Sequence, residues 1–394
     1  MASPGIGGSE KYPVDLCYMV ADLKYNARQG VKICEIQQAS LSLFNGDTYR
    51  ELPEEVSIHK ELSHVLASYN KKGWVVDEGI ADKKLIAALA DSPSWRHPRD
   101  LIGLFSDEQF KTQSKLRPTD KNDLASYQGF LYISWSLLSV IYDFEDRIPG
   151  VAIIDKSSFP FWIDKYRMTR LFAEDELLAT LKPKWGNYKK TYTKGLAAKI
   201  ARELDCDTFV IKPRGNFMGK GVIIVRLSEL DTVLRYIITK KGALAESKNS
   251  AYTAWRHDTF DSFVVEQFIA SDPIRIPHLD NKRYQPTMRV AFVLAYNNQK
   301  HDVHFLGEYW KTPHLSLDES GNFMEKNKDI CEPPFYRSVD AKTSQKVHEQ
   351  LRVALPRLHS KMLQFSPSSS EDLYAPLRGE GVHMVVQEQP VSGT

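Results

Sequence analysis

Alternating apolar and polar residues near the start of the chain predict a β-hairpin. The stretches DLCYMVADL and VKICEIQ both have the period of two that is typical of a half-buried strand, and the region from Asn26 to Gly30 separates them. Asparagine and glycine favour tight turns between antiparallel strands. We therefore predict two paired strands between Val14 and Ile36, preceded by a disordered segment, residues 1–13, that is rich in Gly, Ser and Pro.

A different period, with apolar residues three or four positions apart, predicts helices in five segments. Pro183 ends one of them, since proline disrupts a helix interior, and Ser228 is the predicted N-cap of another. The five segments are 55–72, 162–182, 193–204, 227–242 and 343–364.

Short runs of β-branched and aromatic residues predict further strands. Between residues 80 and 160 such runs alternate with helical ones: LIAALA is a predicted helix, IGLF is a predicted strand, and LYISWSLLSVIYDF and VAIID flank an αβ segment. This alternation predicts a small open α/β domain. The other predicted strands are 209–211, 222–225, 262–269, 287–296, 303–311 and a short candidate, VHMVV, near the C-terminus.

Composition and charge narrow the class of protein but not its chemistry. A length of 394 residues favours two or three domains, and a net charge of +2 gives no general attraction to nucleic acid or an anionic membrane. The four cysteines have no CxxC spacing, which is typical of free thiols in a reducing compartment. No apolar run has transmembrane length and no secretory signal opens the sequence, so we expect a cytoplasmic protein. The basic segment WGNYKKTY is expected to be a solvated loop.

The stretch TFVIKPRGNFMGKGVIIV, residues 208–225, combines a strand, a glycine-rich loop and a second strand. Glycines let backbone N–H groups approach an anion, and cationic side chains neutralise its charge. The loop is not a P-loop, because that motif needs four residues between its glycines, a Ser or Thr after Gly-Lys, and a helix after the loop. Two interpretations stay open, a nucleotide phosphate site and an ordinary basic hairpin. The residues concerned are Lys212, Arg214, Gly215, Gly219, Lys220 and Gly221.

This order of strand, lysine, glycine loop and strand resembles the lid of the ATP-grasp superfamily, which folds over the triphosphate of ATP. Lys212 resembles the lid lysine at the end of its strand. Lys165, in IDKYRMTRLF, resembles the earlier nucleotide lysine, which opens a helix ahead of the lid. The resemblance implies that these lysines and the glycine loop, with Lys220, bind the nucleotide.

Downstream residues extend the resemblance in the family's order. Glu266, in FVVEQFI, resembles the hinge glutamate, which recognises the adenine edge together with the backbone after it, at Gln267 and Phe268. Asp272 falls where the family places an acid against the ribose hydroxyls. Taken singly, a lysine in a helix and a glutamate in a strand are more often solvated groups.

In this chain, the residues that resemble the family's metal ligands are not at the family's usual position in the sequence. ATP-grasp proteins hold Mg²⁺ or Mn²⁺ near their C-terminus with an Asp on one strand and Glu-x-Asn on the next, and this chain offers only Glu388 there. The N-terminal hairpin matches better, because Asp22 is followed thirteen residues later by Glu35, with Gln37 on the same strand face. The loop LSLFNG that follows resembles the loop after the family's metal strand. The resemblance therefore implies a circular permutation, and an ordinary edge hairpin is the alternative.

Two cations lie in strands that are otherwise apolar. Arg289, in TMRVAFVL, and Lys311, in GEYWKTP, each require an anionic partner. The resemblance implies that the triphosphate or an acyl phosphate is that partner and that both residues are catalytic. Pairing with Glu308 or Asp302 is the alternative, and Glu308 is also a reserve candidate for the metal.

The predicted fold class is α/β, an ATP-grasp fold with lid and core subdomains, circularly permuted, with a small α/β domain ahead of the lid. The resemblance implies a ligase that uses ATP and magnesium to join a small-molecule or peptide carboxylate to an amine through an acyl phosphate. No nucleic acid or membrane partner is expected. A phosphotransferase on the same fold and a nucleotide-binding regulator stay open. The predicted parts are a disordered N-terminus (1–13), metal-binding hairpin (14–50), small α/β domain (51–160), lid (161–262), core with hinge (263–366) and tail (367–394).

Overall fold

The structure, a computed structural model, combines helices with mainly antiparallel sheets. It describes residues 14–39, 58–68, 73–76, 95–96, 129–133, 151–162, 164–215, 219–277, 279–330 and 335–365. The described residues form two compact units, of which the larger lies within 14–185 and 267–365 and the smaller within Gly186–Glu266. The predicted elements LIAALA, IGLF and VHMVV, the loop LSLFNG, and Glu388 lie outside the described residues.

Fifteen strands lie within the described segments. They are β1 (Val14–Asn26), β2 (Gly30–Gln38), β3 (Gly73–Val76), β4 (Trp95–Arg96), β5 (Gly129–Ile133), β6 (Val151–Ile153), β7 (Trp185–Lys189), β8 (Thr208–Lys212), β9 (Ile223–Arg226), β10 (Ser262–Gln267), β11 (Ile274–Ile276), β12 (Lys282–Tyr284), β13 (Thr287–Asn297), β14 (Lys300–Lys311) and β15 (Tyr336–Arg337).

The described α-helices are α1 (Ile58–Ser68), α2 (Phe159–Trp162), α3 (Lys165–Ala173), α4 (Glu176–Thr180), α5 (Leu196–Leu204), α6 (Leu227–Thr239), α7 (Ser250–Thr253), α8 (Phe323–Asn327) and α9 (Ala341–Gln364). Within these segments, no helix has both the length and the apolar character that crossing a membrane requires.

The larger unit is built around a five-stranded antiparallel sheet with the strand order β15-β14-β13-β1-β2. The predicted N-terminal hairpin is confirmed, and β1 pairs on its other side with β13. Because side chains alternate between faces, every second residue of β1 and β13 faces the core. In β2, Val31, Ile33 and Ile36 face the core, because the register shifts between Ile33 and Glu35. This face packs against one side of α9, which contributes Val347, Leu351, Leu355, Leu358 and Met362.

The opposite face of this sheet is divided between apolar and charged residues. Tyr18 and Val20 of β1 are buried, and Asp22 and Lys24 follow on the same face towards the end of the strand. Gly307 of β14 has a positive φ of 148°, and a Cβ there would lie 3.2 Å from Ile58 of α1. Helix α1 therefore packs closely on this face, and the charged residues begin beyond it.

Three further sheets complete the described architecture, and the smallest of them pairs β11 with β12 in an antiparallel manner. In the smaller unit the strand order is β7-β10-β8-β9, and β8 pairs with β9 in an antiparallel manner, as the strand–loop–strand prediction required. In the larger unit β3, β4, β5 and β6 pair in parallel. A parallel sheet is typical of α/β units, and the small α/β domain between residues 51 and 160 stays a prediction.

The predicted single helix at 162–182 is wrong, because two helices occupy this segment. Helix α3 ends at Ala173 and α4 begins at Glu176. The cause is Asp175, whose carboxylate accepts hydrogen bonds from the backbone N–H groups of Leu177 at 3.0 Å and Leu178 at 3.1 Å. An N-cap at this position starts a new helix instead of extending the first.

Two other local predictions are wrong. Ser228 is not the N-cap of α6, because β9 runs directly into the helix and the first N–H, of Leu227, donates to the Asp207 carbonyl at 2.8 Å. The segment WGNYKKTY begins with β7 and is not a loop. Tyr188 is buried in that strand and donates a hydrogen bond to Glu203 at 3.0 Å. One buried side chain among polar neighbours gives too little alternation for the strand to be seen in the sequence.

Asp155 ties the turn after β6 to the hairpin. Its carboxylate accepts hydrogen bonds from the Tyr18 N–H at 2.5 Å and from the Gln38 amide at 2.8 Å. Burial raises the pKa of Asp155 to about 7, although both hydrogen bonds act to lower it. An acid whose pKa is higher in the folded than in the unfolded state binds a proton on folding, so its contribution to stability falls as the pH rises.

We expect Asp155→Asn to remove this dependence on pH. At about 1.4 kcal/mol per pH unit, the natural protein should lose about 4 kcal/mol relative to the variant between about pH 4 and pH 7, and nothing more above that. The Gln38 side chain can turn its oxygen towards the introduced amide, so the fold is retained. Urea unfolding of both proteins across this range measures the difference, and Asp207→Asn, at an exposed position, is the control. Parallel stability curves for Asp155→Asn and the natural protein would contradict the prediction.

Candidate active site

A charged cluster lies on one face of the five-stranded sheet, where β2, β1 and β13 run side by side. Asp22 of β1 is directly opposite Glu35 on one neighbouring strand and Arg289 on the other. Directly paired residues have side chains on the same face of a sheet. The predicted placement of Asp22 and Glu35 on one face is therefore confirmed, and it depends on a register shift in the pairing between Asp22 and Leu23.

Asp22 is held by two cations. Arg289 donates from Nε to Oδ1 and from Nη2 to Oδ2, both at 2.7 Å, and Lys311 Nζ donates to Oδ2 at 2.8 Å. Burial alone acts to raise the pKa of Asp22, but the charges of Arg289 and Lys311 outweigh it, and the pKa lies below its usual range. Asp22 is therefore ionised in the folded protein, and the bidentate geometry fixes the guanidinium plane.

Asp329 and Lys24 extend the cluster. The Asp329 carboxylate lies 2.6 Å from Lys311 Nζ, and Lys24 Nζ donates to the Pro286 carbonyl at 3.0 Å. Burial lowers the pKa of Lys24, and Lys311 lowers it further. Counted over the described residues and with Lys24 protonated, the two acids and three cations of this cluster carry one positive charge in excess. A buried surplus of positive charge favours an anionic guest.

Glu35 and Gln37 lie beside this cluster on β2. Glu35 forms an ion pair with Lys165 at 3.2 Å, and Lys165 is the first residue of α3. The helix begins there because the preceding Asp164 is its N-cap and accepts a hydrogen bond from Tyr166 N–H at 2.9 Å. Gln37 pairs with Val20 in the sheet and is partly exposed. The predicted metal residues and the earlier lysine are thus near one another on one side of the larger unit.

In the smaller unit Lys212 is the last residue of β8, as predicted from the sequence, and its ammonium lies 2.6 Å from Glu266 of the neighbouring β10. Both side chains are buried. Arg214, two residues further along, donates to Ser262 at 3.0 Å and lies 5.0 Å from the Phe260 ring. These contacts hold the start of the glycine loop against the N-terminal end of β10.

The glycines of the loop are needed for different reasons. Gly219 and Gly221 have positive φ angles of 67° and 77°, a region that disfavours residues with a Cβ. Gly215 is close to Phe260, and a Cβ there would lie 2.5 Å from the ring. Lys220 is exposed between the other two glycines. Residues 216–218, at the tip, lie outside the described segments.

The remaining predicted nucleotide residues have contacts within the larger unit. The Asp272 carboxylate accepts hydrogen bonds from Asn26 Nδ2 at 3.0 Å and from Ala27 N–H at 2.7 Å, so it fixes the β1–β2 turn. The Gln267 N–H donates to the Lys184 carbonyl at 2.8 Å, and the Phe268 ring lies 5.6 Å from Phe323. The adenine and ribose roles of these three residues stay predictions.

The alternative partners considered for Arg289 and Lys311 have other contacts. Glu308 accepts a hydrogen bond from Ser344 and lies 2.9 Å from the His348 ring, and Asp302 pairs with Lys300 at 2.8 Å. Sequence reasoning missed Asp329, which lies in a segment without periodicity. It also missed Lys24, although this residue follows Asp22 at the same spacing that placed Glu35 and Gln37 on one face.

No protein-family model and no curated sequence matches this chain. Among solved structures, a D-cycloserine synthetase is similar with a TM-score of 0.33 and 13% sequence identity, over 74% of this chain and 82% of that chain. The D-alanine-D-alanine ligase from Coxiella burnetii is similar with a TM-score of 0.30 and 11% identity, over 78% of this chain and 98% of that chain. Similarity at this level carries no argument about fold or activity, and the assignment of a function depends on the side chains of this chain.

Proposed function

We propose that the protein is a ligase of the circularly permuted ATP-grasp type, which uses ATP and Mg²⁺ or Mn²⁺ to join a carboxylate to an amine. The observation that carries the proposal is the buried cluster of Asp22, Arg289 and Lys311. Buried ion clusters of this kind seldom add net stability, because desolvation offsets the attraction between the charges. The cluster has a surplus positive charge and lies beside two further oxygen ligands, Glu35 and Gln37. This combination suits a phosphate group together with its metal ion.

The donor set fits magnesium. Asp22, Glu35 and Gln37 offer two carboxylates and an amide oxygen on one sheet face, and hard oxygen ligands are those that Mg²⁺ prefers. The cations that hold the two carboxylates, Arg289, Lys311 and Lys165, are groups that phosphate oxygens also attract. A bound divalent ion would neutralise the charge of the phosphates.

The protein's own residues supply charge and alignment. In the proposed reaction, a substrate carboxylate oxygen attacks the terminal phosphorus of ATP and ADP leaves. The amine nitrogen then attacks the acyl carbon, inorganic phosphate leaves, and the nitrogen loses a proton. Arg289 and Lys311 stabilise the developing negative charge, and both are already fixed by Asp22, so little reorganisation is needed.

In the smaller unit, we assign Lys212 and the glycine loop to the nucleotide phosphates. The proposal is supported by the buried position of Lys212 at the end of its strand and by the two glycines with positive φ. Backbone N–H groups in such a loop can converge on an anion. Glu266, which holds the Lys212 ammonium, is assigned to orienting it and to the adenine edge.

The activity is tested by measuring ADP release across a panel of carboxylates with and without amines. We expect ADP release that requires both substrates and Mg²⁺. Glu35→Ala should abolish activity or its dependence on Mg²⁺, whereas Glu349→Ala, at an exposed position on α9, should leave both unchanged. ADP release that needs an alcohol and no amine would assign a phosphotransferase instead. Binding of ATP without turnover over the whole panel would favour a nucleotide-binding regulator.

A further inference from the structure

We propose that Asp15, Cys17 and His359 form a binding site for one transition-metal ion, with Zn²⁺ as the best match. The three residues come from β1 and the C-terminal half of α9, and their ligand atoms lie within 4.8 Å of one another. They are distinct from every residue assigned to the nucleotide or its metal.

The distances between the donor atoms suit a shared ion. Cys17 Sγ lies 3.5 Å from Asp15 Oδ1 and 3.9 Å from His359 Nε2, and His359 Nε2 lies 2.8 Å from Asp15 Oδ1. Around a tetrahedral zinc, sulfur, nitrogen and oxygen ligands are about 3.3 to 3.6 Å apart, given bonds of about 2.0 to 2.3 Å. Changes of about half an ångström in these separations would place all three atoms around one ion.

Hydrogen bonds account for this arrangement only when His359 Nε2 carries a proton. One ring nitrogen, His359 Nε2, faces both the Asp15 carboxylate and the Cys17 sulfur. If this nitrogen carries a proton, it donates to Asp15, and the Cys17 thiol is left to pair with Asp15 Oδ1 at 3.5 Å or Ser157 Oγ at 3.0 Å. If it carries none, it faces an ionised carboxylate oxygen with no hydrogen between them. A cation at the centre would satisfy the nitrogen, the oxygen and the sulfur together.

The surroundings resemble the outer shell of a metal site. His301 Nδ1 lies 3.3 Å from His359 Nδ1 and can accept its proton, which leaves Nε2 free to bind an ion. Ser157 Oγ lies 3.0 Å from Cys17 Sγ and donates to Asp15 Oδ1 at 2.8 Å, so a polar group borders the position of a fourth ligand. Asp15 is 21% exposed, whereas His359 is fully buried, so an ion can enter from the Asp15 side.

The donor types select the ion. A thiolate and an imidazole prefer Zn²⁺ and similar ions over Mg²⁺, which takes oxygen ligands. Three protein ligands with an open fourth position are also the pattern of zinc sites that bind water or a small ligand. The structural alternative is a buried histidine–aspartate pair beside a core cysteine.

The test is a Co²⁺ titration of the full chain after treatment with a chelator. We expect the visible bands of tetrahedral Co²⁺ together with a thiolate-to-cobalt charge-transfer band, both saturating at one ion per chain and both lost when Zn²⁺ is added. Cys17→Ser should abolish the charge-transfer band, and Cys206→Ser, at another free cysteine, should leave it unchanged.

The absence of these bands in the natural protein would overturn the proposal, as would a charge-transfer band that survives in folded Cys17→Ser. Should Cys17→Ser fail to fold, Asp15→Asn at the partly exposed position replaces it. Its affinity for Co²⁺ should fall by about tenfold or more, and an unchanged affinity would also overturn the proposal. None of these measurements uses ATP, so the outcome is independent of the proposed ligase activity.

Discussion

Replacing Lys212 by methionine is expected to lower ATP turnover by about two to three orders of magnitude, the usual cost of removing one preorganised group that stabilises transition-state charge. Methionine keeps most of the length and apolar volume of the side chain, so the change removes chiefly the charge. Turnover is measured as ADP release, with the carboxylate and amine that activate the natural protein. Lys241→Met, at an exposed position in the same unit, should leave the rate unchanged.

The ion pair with Glu266 makes a second variant necessary. Lys212→Met alone leaves the Glu266 carboxylate buried without its ammonium 2.6 Å away, and removing one partner of such a pair costs about 3 to 5 kcal/mol. The double variant Lys212→Met with Glu266→Gln removes both charges and should recover most of this stability. Its turnover should stay low, because the positive charge is still missing. If the double variant is folded and has the turnover of the natural protein, Lys212 has no role in the proposed active site.

Asp22→Asn is expected to lower the free energy of unfolding by about 3 to 5 kcal/mol, because Arg289 and Lys311 are left buried without their shared carboxylate. Urea unfolding measures this change. Asp302→Asn is the matched control on the same sheet, since its pair with Lys300 is largely exposed and is worth at most about 1 kcal/mol. Equal losses of unfolding free energy in the two variants would contradict this prediction, because the Asp22 pairs would then contribute no more than an exposed ion pair.

Adding inorganic triphosphate tests whether the Asp22 cluster binds phosphate or has only a structural role. The Asp22→Asn variant has one more uncompensated positive charge than the natural protein, so inorganic triphosphate should bind it more tightly. A ligand that binds only the folded state stabilises it in proportion to the logarithm of its concentration over its dissociation constant. Triphosphate should therefore raise the unfolding midpoint of the variant more than that of the natural protein. No shift in either protein would contradict the phosphate role of Arg289 and Lys311.

Local patterns in the sequence were sufficient for the elements that carry the cluster. Strict alternation identified β1 and β2 and predicted that Asp22 and Glu35 share a face. The direct pairing of the two residues depends on a register shift between Asp22 and Leu23, which the alternation did not reveal. The end of β8 at Lys212 also agrees with the sequence. Helix α3 begins at Lys165, as the family resemblance implied, and not at residue 162, where the helical pattern begins. These elements are determined by interactions between residues close in the sequence, and such interactions follow from the periodicity of the side chains and the residue types in the turns.

Contacts between residues that are far apart in the sequence could not be predicted from local patterns. Asp22 and Arg289 are 267 residues apart, and Cys17 and His359 are 342 apart. Their proximity results from the pairing of β1 with β13 and from the packing of α9 on the sheet, neither of which leaves a local signal. The break between α3 and α4 was missed for a different reason, because one capping aspartate outweighed an otherwise continuous helical pattern.

The position of β1 has a consequence for the synthesis of the protein. This strand is an interior strand of its sheet, between β2 and β13, yet it leaves the ribosome far ahead of its second partner. Until residues 287–297 have been made, the β1–β2 hairpin presents an open edge with apolar residues on one face. Exposed edges of this kind are prone to pair with other chains, and contacts between distant segments form slowly. Nascent chains that stall before β13 should therefore depend on chaperones to avoid aggregation, and shortened products that end before that strand should be insoluble.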